Sequence, residues 1–170
     1  MEKDISILQG TELFKNLSPT QIRKVLDICR PVHISEKEII MKEGELGDRM
    51  YVILEGTVEI IKSLIMDSSG SDASSEKNKI FTRLHAKDHA VFGEIALLEE
   101  FKRTATVQAV TDCDLYEIKK ADFLRLAESD FEFGYRIVRN LSGIVSARLR
   151  KADEDMIKLT TVLSMILKET

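Results

Sequence analysis

No stretch of this chain is apolar for long enough to suggest a membrane-spanning helix. The longest apolar runs, such as Met50-Tyr51-Val52-Ile53-Leu54, fall far short of the roughly 18 residues such a helix needs. The charged start Met1-Glu2-Lys3-Asp4 has no signal-peptide core behind it. There is no excess of positive charge either. Lys plus Arg number 25 against 29 Asp plus Glu, a net charge of -4, the wrong sign for a protein whose main partner is a phosphate backbone. Cysteine is scarce: Cys29 and Cys113 stand far apart with no CxxC and no Cys/His clustering. They therefore make neither a disulfide framework nor a zinc site, and read as small core residues. The three histidines lack carboxylate spacing and make no metal site. These absences point to a soluble, cytoplasmic protein, with no membrane, nucleic acid or metal expected. What is present is 170 residues, 44% of them hydrophobic, enough for one well-buried domain and short for two.

Ser18 before Pro19, with Gln21 three residues after the serine, is a capping box with proline at the first helical position. It predicts a helix from about Pro19 to Cys29 whose stripe is Ile22, Val25, Leu26 and Cys29, with Leu13, Phe14 and Leu17 packing beside it. From Pro31 to Lys119 the period shortens and Gly, Asp and Asn separate the runs, the pattern of an all-β body. The candidate strands are Val32–Ser35, Ile39–Lys42, Tyr51–Leu54, Thr57–Ser63, Lys79–Leu84, Thr104–Val110 and Asp114–Ile118. Glu55-Gly56 reads as a tight hairpin turn. Thr104, Thr106 and Gln108 alternate with Ala105, Val107 and Ala109, giving one polar and one small apolar face. A barrel or jelly roll closes such a set with few sheet edges. Met66 to Asn78 is almost devoid of apolar residues and reads as a surface loop.

The last fifty residues return to helix. Ser129 with Glu132 makes a second capping box, and from Phe131 to about Lys168 only Gly134 and Gly143 interrupt the pattern. Val145, Leu149, Ala152, Met156, Leu159, Leu163 and Ile166 are spaced alternately by four and three. That is a narrow seven-residue seam, which favours a parallel coiled coil with a second copy over a helix lying on its own barrel.

The chemistry concentrates in Phe92-Gly93-Glu94-Ile95-Ala96-Leu97-Leu98, followed by Lys102-Arg103-Thr104-Ala105-Thr106-Val107. A cyclic phosphodiester carries one negative charge. Taking it into a partly dry pocket needs a fixed cation with directional donors, and the Arg103 guanidinium supplies two parallel hydrogen bonds. Ile95 to Leu98 fit a short helical turn whose free N–H groups, Ala96 among them, face an anion. Gly93 allows close approach of the sugar, and the Glu94 carboxylate suits a ribose 2′-hydroxyl donor. No activated Ser or Cys and no acid–base pair accompanies the cassette, so an enzyme is the least supported class.

These residues, with Leu13-Phe14, Leu17-Ser18, Glu43-Gly44-Glu45, Gly47-Asp48 and the run Met50–Leu54 into Glu55-Gly56, resemble the cyclic nucleotide-binding domain family. That family includes the catabolite activator protein, the regulatory subunits of cAMP-dependent kinase and cyclic-nucleotide-gated channels. The resemblance implies a mainly β fold with flanking helices, an eight-stranded jelly-roll barrel followed by a long C-terminal helix. Residues 1–150 would form the binding domain and 151–170 a helical extension for dimerisation. It implies a non-catalytic sensor of cAMP or cGMP with no cofactor, binding through Phe92, Gly93, Glu94, Ile95, Ala96, Arg103, Thr104 and Ala105. The base would be covered from the final helix by Arg148, Lys151, Ala152 or Asp155, and a hinge around Ala121–Asp130 would couple pocket to helix. The output would be a homodimer acting on a protein effector not named by the sequence.

The chain departs from many relatives at His89-Ala90, where they have Gly-Asp, and at Lys102, where they have proline. Thr104 offers a hydroxyl to phosphate or to a guanine edge, as in relatives that favour cGMP. Two alternatives stand beside the sensor reading. One is an interaction scaffold that keeps the fold without binding nucleotide. The other is the sensor portion of a transcription regulator lacking its DNA-binding domain, since only about twenty residues follow Arg150, with no second helix and turn.

Overall fold

Ser18 starts a helix by satisfying backbone donors in both directions. In this computed structural model, which describes residues 2–64, 77–98 and 102–168, the Gln21 N–H donates to Ser18 Oγ at 3.2 Å and the Ser18 N–H donates to Gln21 Oε1 at 3.1 Å. The helix it starts is α2 (Pro19–Ile28), preceded by α1 (Glu2–Gly10). Ile22 and Val25 of α2 are fully buried, as are Leu13 and Phe14 upstream. Sequence reasoning had no purchase on α1, because Ile5, Ile7 and Leu8 do not extend into a three-four repeat.

Among the described residues eight strands follow: β1 (Cys29–Ile34), β2 (Ile39–Met41), β3 (Arg49–Glu55), β4 (Thr57–Leu64), β5 (Lys77–His85), β6 (Val91–Phe92), β7 (Thr106–Ala109) and β8 (Cys113–Lys119). They form two antiparallel sheets, ordered β1-β8-β3-β6 and β2-β7-β4-β5. Among the described residues no strand pairing joins the two sheets, so the jelly roll is a double-layer sandwich and the expected barrel is not closed. Seven strands lie where the short apolar runs and their Gly, Asp and Asn breaks place them, to within a few residues at their ends; β6 is too short to carry a pattern. Of the segment Met66–Asn78, 66–76 fall outside the described residues, and Lys77 and Asn78 are not loop but the first residues of β5.

The uninterrupted apolar run in β3 has a physical reason: both of its faces are covered. Met50 and Val52 point to a core shared with α1, α2 and the C-terminal helices, while Tyr51 and Ile53 point between the sheets with Val58, Phe92, Val107 and Leu115. Glu55-Gly56 is a turn, with Gly56 at φ +93, but not a hairpin. Its flanking strands belong to different sheets, so the turn carries the chain across the sandwich. A Cβ at Gly56 would sit 2.4 Å from the Asp112 carbonyl oxygen, so both conformation and space demand glycine there.

Two helices close the chain, α3 (Lys120–Ser129) and α4 (Phe131–Lys168). The residue between them, Asp130, caps α4 by accepting from the Phe133 N–H at 3.0 Å. Ser129, expected in that role, instead ends α3 and donates to the Leu126 carbonyl. The segment expected as a hinge is therefore largely helical, anchored by Phe123 against Phe133, with ring centroids 5.8 Å apart. α4 runs unbroken past residue 150. Its early turns bury Phe133, Ile137 and Leu141, whereas Val145, Leu149, Met156, Leu159, Leu163 and Ile166 are exposed. The helix does not lay this seam on its own sheets. The four-three spacing also continues backwards through the polar Ser142 to Val138, Tyr135 and Phe131, the last two 68% and 85% exposed. No described helix is long and apolar enough to cross a membrane.

Candidate functional site

The loop between β2 and β3 builds the support for Arg103. The Gly44 N–H donates to the Arg103 carbonyl at 2.9 Å, and the Arg103 N–H donates to the Glu45 carbonyl at 2.7 Å. Leu46 bridges to Lys102 next to them, and the Glu43 N–H bonds Thr106 Oγ1. The two glycines of Glu43-Gly44-Glu45 and Gly47-Asp48 have different tasks. Gly44 takes the positive φ of the turn, at +85. Gly47 lies flat against the arginine, for a Cβ there would be 2.3 Å from Arg103 Nε.

The Arg103 side chain is 9% exposed. It donates to the Arg49 carbonyl at 2.7 Å and to the Gly93 carbonyl at 3.4 Å. Among the described residues no carboxylate lies within ion-pair distance of it. Burial pushes the Arg103 guanidinium below its ordinary value, with Arg49 adding to the shift and Tyr51, Asp48 and Glu94 opposing it. Among the described residues this buried cation is held by carbonyl dipoles alone, without the compensation that buried charges normally require. By contrast Arg49 is fully paired. Its side chain bonds Asp48 at 2.9 Å and Glu117 at 2.8 Å, raising its own value and lowering that of Asp48.

Gly93 separates the buried cation from a buried anion. It adopts φ +76 after the short strand β6, and a Cβ there would fall 2.9 Å from Arg103 Nη1 and 3.1 Å from the Arg49 carbonyl oxygen. Its lack of a side chain thus makes room for the arginine itself. Phe92 is buried and stacks on Tyr51, centroids 5.1 Å apart and planes at 21°, which fixes the strand that delivers Gly93. Glu94 to Leu97 form one 3₁₀ turn. The Ala96 N–H, expected to face an anion, donates to the Gly93 carbonyl at 3.2 Å. Ala96 and Ala105 are buried, Ile95 is half-buried and Thr104 is exposed.

Glu94 is 1% exposed. Its Oε1 accepts from Arg148 Nη1 of α4, while its Oε2 is buried with no hydrogen-bond partner. One oxygen is thereby tied to the final helix and the other is left for a donor that the described residues do not supply. Of the four residues expected to cover a base, only Arg148 reaches the cassette. Lys151 and Ala152 are exposed, and Asp155 pairs with Lys158 on its own helix at 3.3 Å. The contribution of Arg49, whose main chain anchors Arg103, has no sequence signal because a carbonyl acceptor is the same in every residue. A groove of about 540 Å³ between Ser18, Lys24, Asp130 and Arg136 lies away from this cassette, and its polar groups pair with one another, Lys24 with Asp130 at 2.8 Å.

The arrangement is a two-sheet jelly roll with a buried arginine and a buried glutamate on either side of one glycine. Comparison with known proteins makes the assignment specific. The model of the cyclic nucleotide-binding domain matches residues 31–130, and the chain belongs to that family. It is 33% identical over 162 residues to a cGMP-dependent protein kinase of Drosophila melanogaster, covering 89% of this chain and 12% of the kinase. It is 33% identical over 123 residues to the cAMP-dependent protein kinase regulatory subunit of Dictyostelium discoideum, covering 72% of this chain and 33% of the subunit. The chain thus spans a minor part of either curated relative. Among solved structures, the catabolite activator protein of Thermus thermophilus aligns with TM-score 0.74 at 24% identity, over 88% of this chain and 63% of that one. The regulatory domain of Toxoplasma gondii PKA with cAMP aligns with TM-score 0.61 at 25% identity, over 74% and 43%.

Proposed function

We propose that this chain is a non-catalytic sensor that binds cAMP or cGMP between the Gly93–Arg103 cassette and α4, and passes occupancy to a protein effector through that helix. The observation that carries the reading is the pairing of two incomplete buried groups around Gly93. Among the described residues Arg103 is a buried guanidinium bonded only to carbonyls, and Glu94 is a buried carboxylate with an unpartnered oxygen. A cyclic nucleotide completes both at once. Its phosphodiester supplies the anion to Arg103, and its ribose 2′-hydroxyl supplies the donor to Glu94 Oε2. Phe92, Ile95, Ala96, Thr104 and Ala105 form the rest of the wall. Arg148 stands at the side from which α4 covers the base.

The exposed seam of α4 supports a parallel homodimer, because a surface of this length in seven-residue register is buried by a second identical helix. Ligand shifts the position of α4 only in so far as it binds one arrangement better than the other, and the Glu94–Arg148 bond supplies such a difference. The protein works in the cytoplasm in this reading, where Cys29 and Cys113, both free thiols, stay reduced.

Calorimetric titration of the wild-type protein with cAMP and, separately, cGMP tests the proposal. Saturable heat with at least one ligand is the expected result and names the preferred base. No heat with either overturns it in favour of a scaffold that keeps the fold alone.

A further inference from the structure

The border of the α4 seam changes character along the helix. In seven-residue register Leu149, Met156 and Leu163 take the a positions, and Ala152, Leu159 and Ile166 the d positions. The places that flank such a seam are e and g. From residue 148 to residue 160 they hold Arg148, Asp153, Asp155 and Thr160, a polar border suited to a two-stranded coil whose edges meet water. In the last turns they hold Val162 at g and Leu167 at e. These two side chains are 55% and 68% exposed.

One further copy of the helix leaves this border in water. In a parallel pair a g residue of one copy lies beside the e residue five positions on in the other. Val162 therefore sits against the partner's Leu167, and an apolar strip runs along each side of the paired seam. Leu163 at a followed by Ile166 at d is also a combination that shifts parallel coils from two strands toward three or four. A core made of g, a, d and e together is the broad face of a helix with neighbours on two sides. There is room for those neighbours: Val162 lies about 21 Å along the axis beyond Arg148, the residue that reaches Glu94.

Charge favours more copies of this chain over a lipid surface. Helices that lie on bilayers carry Lys and Arg on their polar face. Residues 153–168 instead hold Lys158 and Lys168 against Asp153, Glu154 and Asp155. The strip also occurs twice in a symmetric pair and matches itself, as a closed assembly of identical chains requires.

We infer that the tip of α4, residues 162–167, joins two dimers into a tetramer. Four helices converge there with Val162, Leu163, Ile166 and Leu167 inside, while the polar-bordered part before them stays two-stranded. The inference rests on the homodimer reading above and is independent of the nucleotide. The shared core is short, so the tetramer separates into dimers on dilution.

Sedimentation of the full chain over a concentration series tests this, beside the double variant Val162→Lys with Leu167→Glu. In a parallel pair these substitutions set opposite charges side by side along each edge of the seam, which suits a dimer and removes the apolar strip. The wild type is expected to pass from dimer at about 1 µM to tetramer at about 100 µM. The double variant should remain a dimer over the same range, with unchanged helicity by circular dichroism. A wild type still dimeric at the highest concentration overturns the inference, as does a double variant that forms tetramers as readily or falls to monomers. A dimeric wild type that floats with vesicles of phosphatidylcholine and phosphatidylserine also overturns it, and gives the tip to a lipid surface. Failure of the underlying reading is distinct, for then the wild type is monomeric at every concentration and the inference falls with it.

Discussion

Arg148 reaches from the long C-terminal helix to Glu94, 54 positions earlier in the chain, and holds one oxygen of a carboxylate that is 1% exposed. The bond makes α4 part of the wall of the site. It also orients Glu94 so that its second oxygen, the unpartnered one, is the acceptor available for a ligand. This contact joins pocket and helix through groups of opposite charge, and loss of Arg148 would leave the buried Glu94 carboxylate without its compensating cation.

The ribose assignment predicts discrimination by the 2′-hydroxyl. Removing a donor from a buried carboxylate acceptor costs about 1.5–3 kcal/mol, so 2′-deoxy-cAMP is expected to bind at least about 10-fold more weakly than cAMP. Glu94→Gln should weaken cAMP and bring the two ligands closer together. Competition titration of both nucleotides against both proteins measures this. Equal affinities in the wild type would remove Glu94 from the ribose.

Gly47 is predicted to matter for binding and not for folding. Its backbone is not in the left-handed region, so Gly47→Ala is free of backbone strain. The new Cβ would press on Arg103 Nε and Cζ, now 2.3 and 2.4 Å from its position, and must push the guanidinium aside. Affinity for cyclic nucleotide should fall about 10-fold or more, while Tm stays within about 2 °C of wild type. Unaltered affinity would mean that the seat of Arg103 is not the phosphate seat.

The exposed seam of α4 predicts assembly that charge abolishes. Leu149→Glu with Leu159→Glu places carboxylates at facing a and d positions, where they repel across the helix pair. Sedimentation should show a dimer for the wild type and a monomer for the double variant. A persisting dimer would move the interface to another surface.

His33 of β1 bonds Asp114 of β8 at 2.7 Å across the sheet edge, and this bond raises the imidazole value. A group whose folded value is raised gives stability that is fully present below its unfolded value of about 6.5 and lost as pH rises through the folded value. The Tm advantage of wild type over His33→Gln should therefore be larger at about pH 5.5 than at about pH 8.5. A difference that grows with pH would contradict the pairing.

Local chemistry was legible in the sequence and long-range pairing was not. The Ser18–Gln21 cap is confined to four residues and appears as read. The strand set was visible because alternation is a local pattern, but Gly56 disclosed only its own φ, not that β3 and β4 enter different sheets. At the start of α4 the sequence pointed to Ser129, one residue short of the actual cap Asp130, whose carboxylate accepts from the Phe133 N–H and also from Lys24 of α2. Arg103 and Glu94 stood out as residue types suited to a phosphodiester and a ribose. The carbonyl of Arg49 that holds Arg103 carries no signature, and the grip of Arg148 on Glu94 depends on how far α4 lies along the sheets.

The central claim is that Arg103 is the seat of the phosphodiester, and replacing its fork with a point charge tests it most directly. Arg103→Lys keeps a cation of similar reach but cannot make two parallel bonds to a phosphate or hold both the Arg49 and Gly93 carbonyls. Titrated with cAMP and cGMP beside the wild type, it should bind at least about 100-fold more weakly while circular dichroism and Tm report an intact fold. Wild-type affinity in Arg103→Lys would contradict the account and place any nucleotide elsewhere on the molecule.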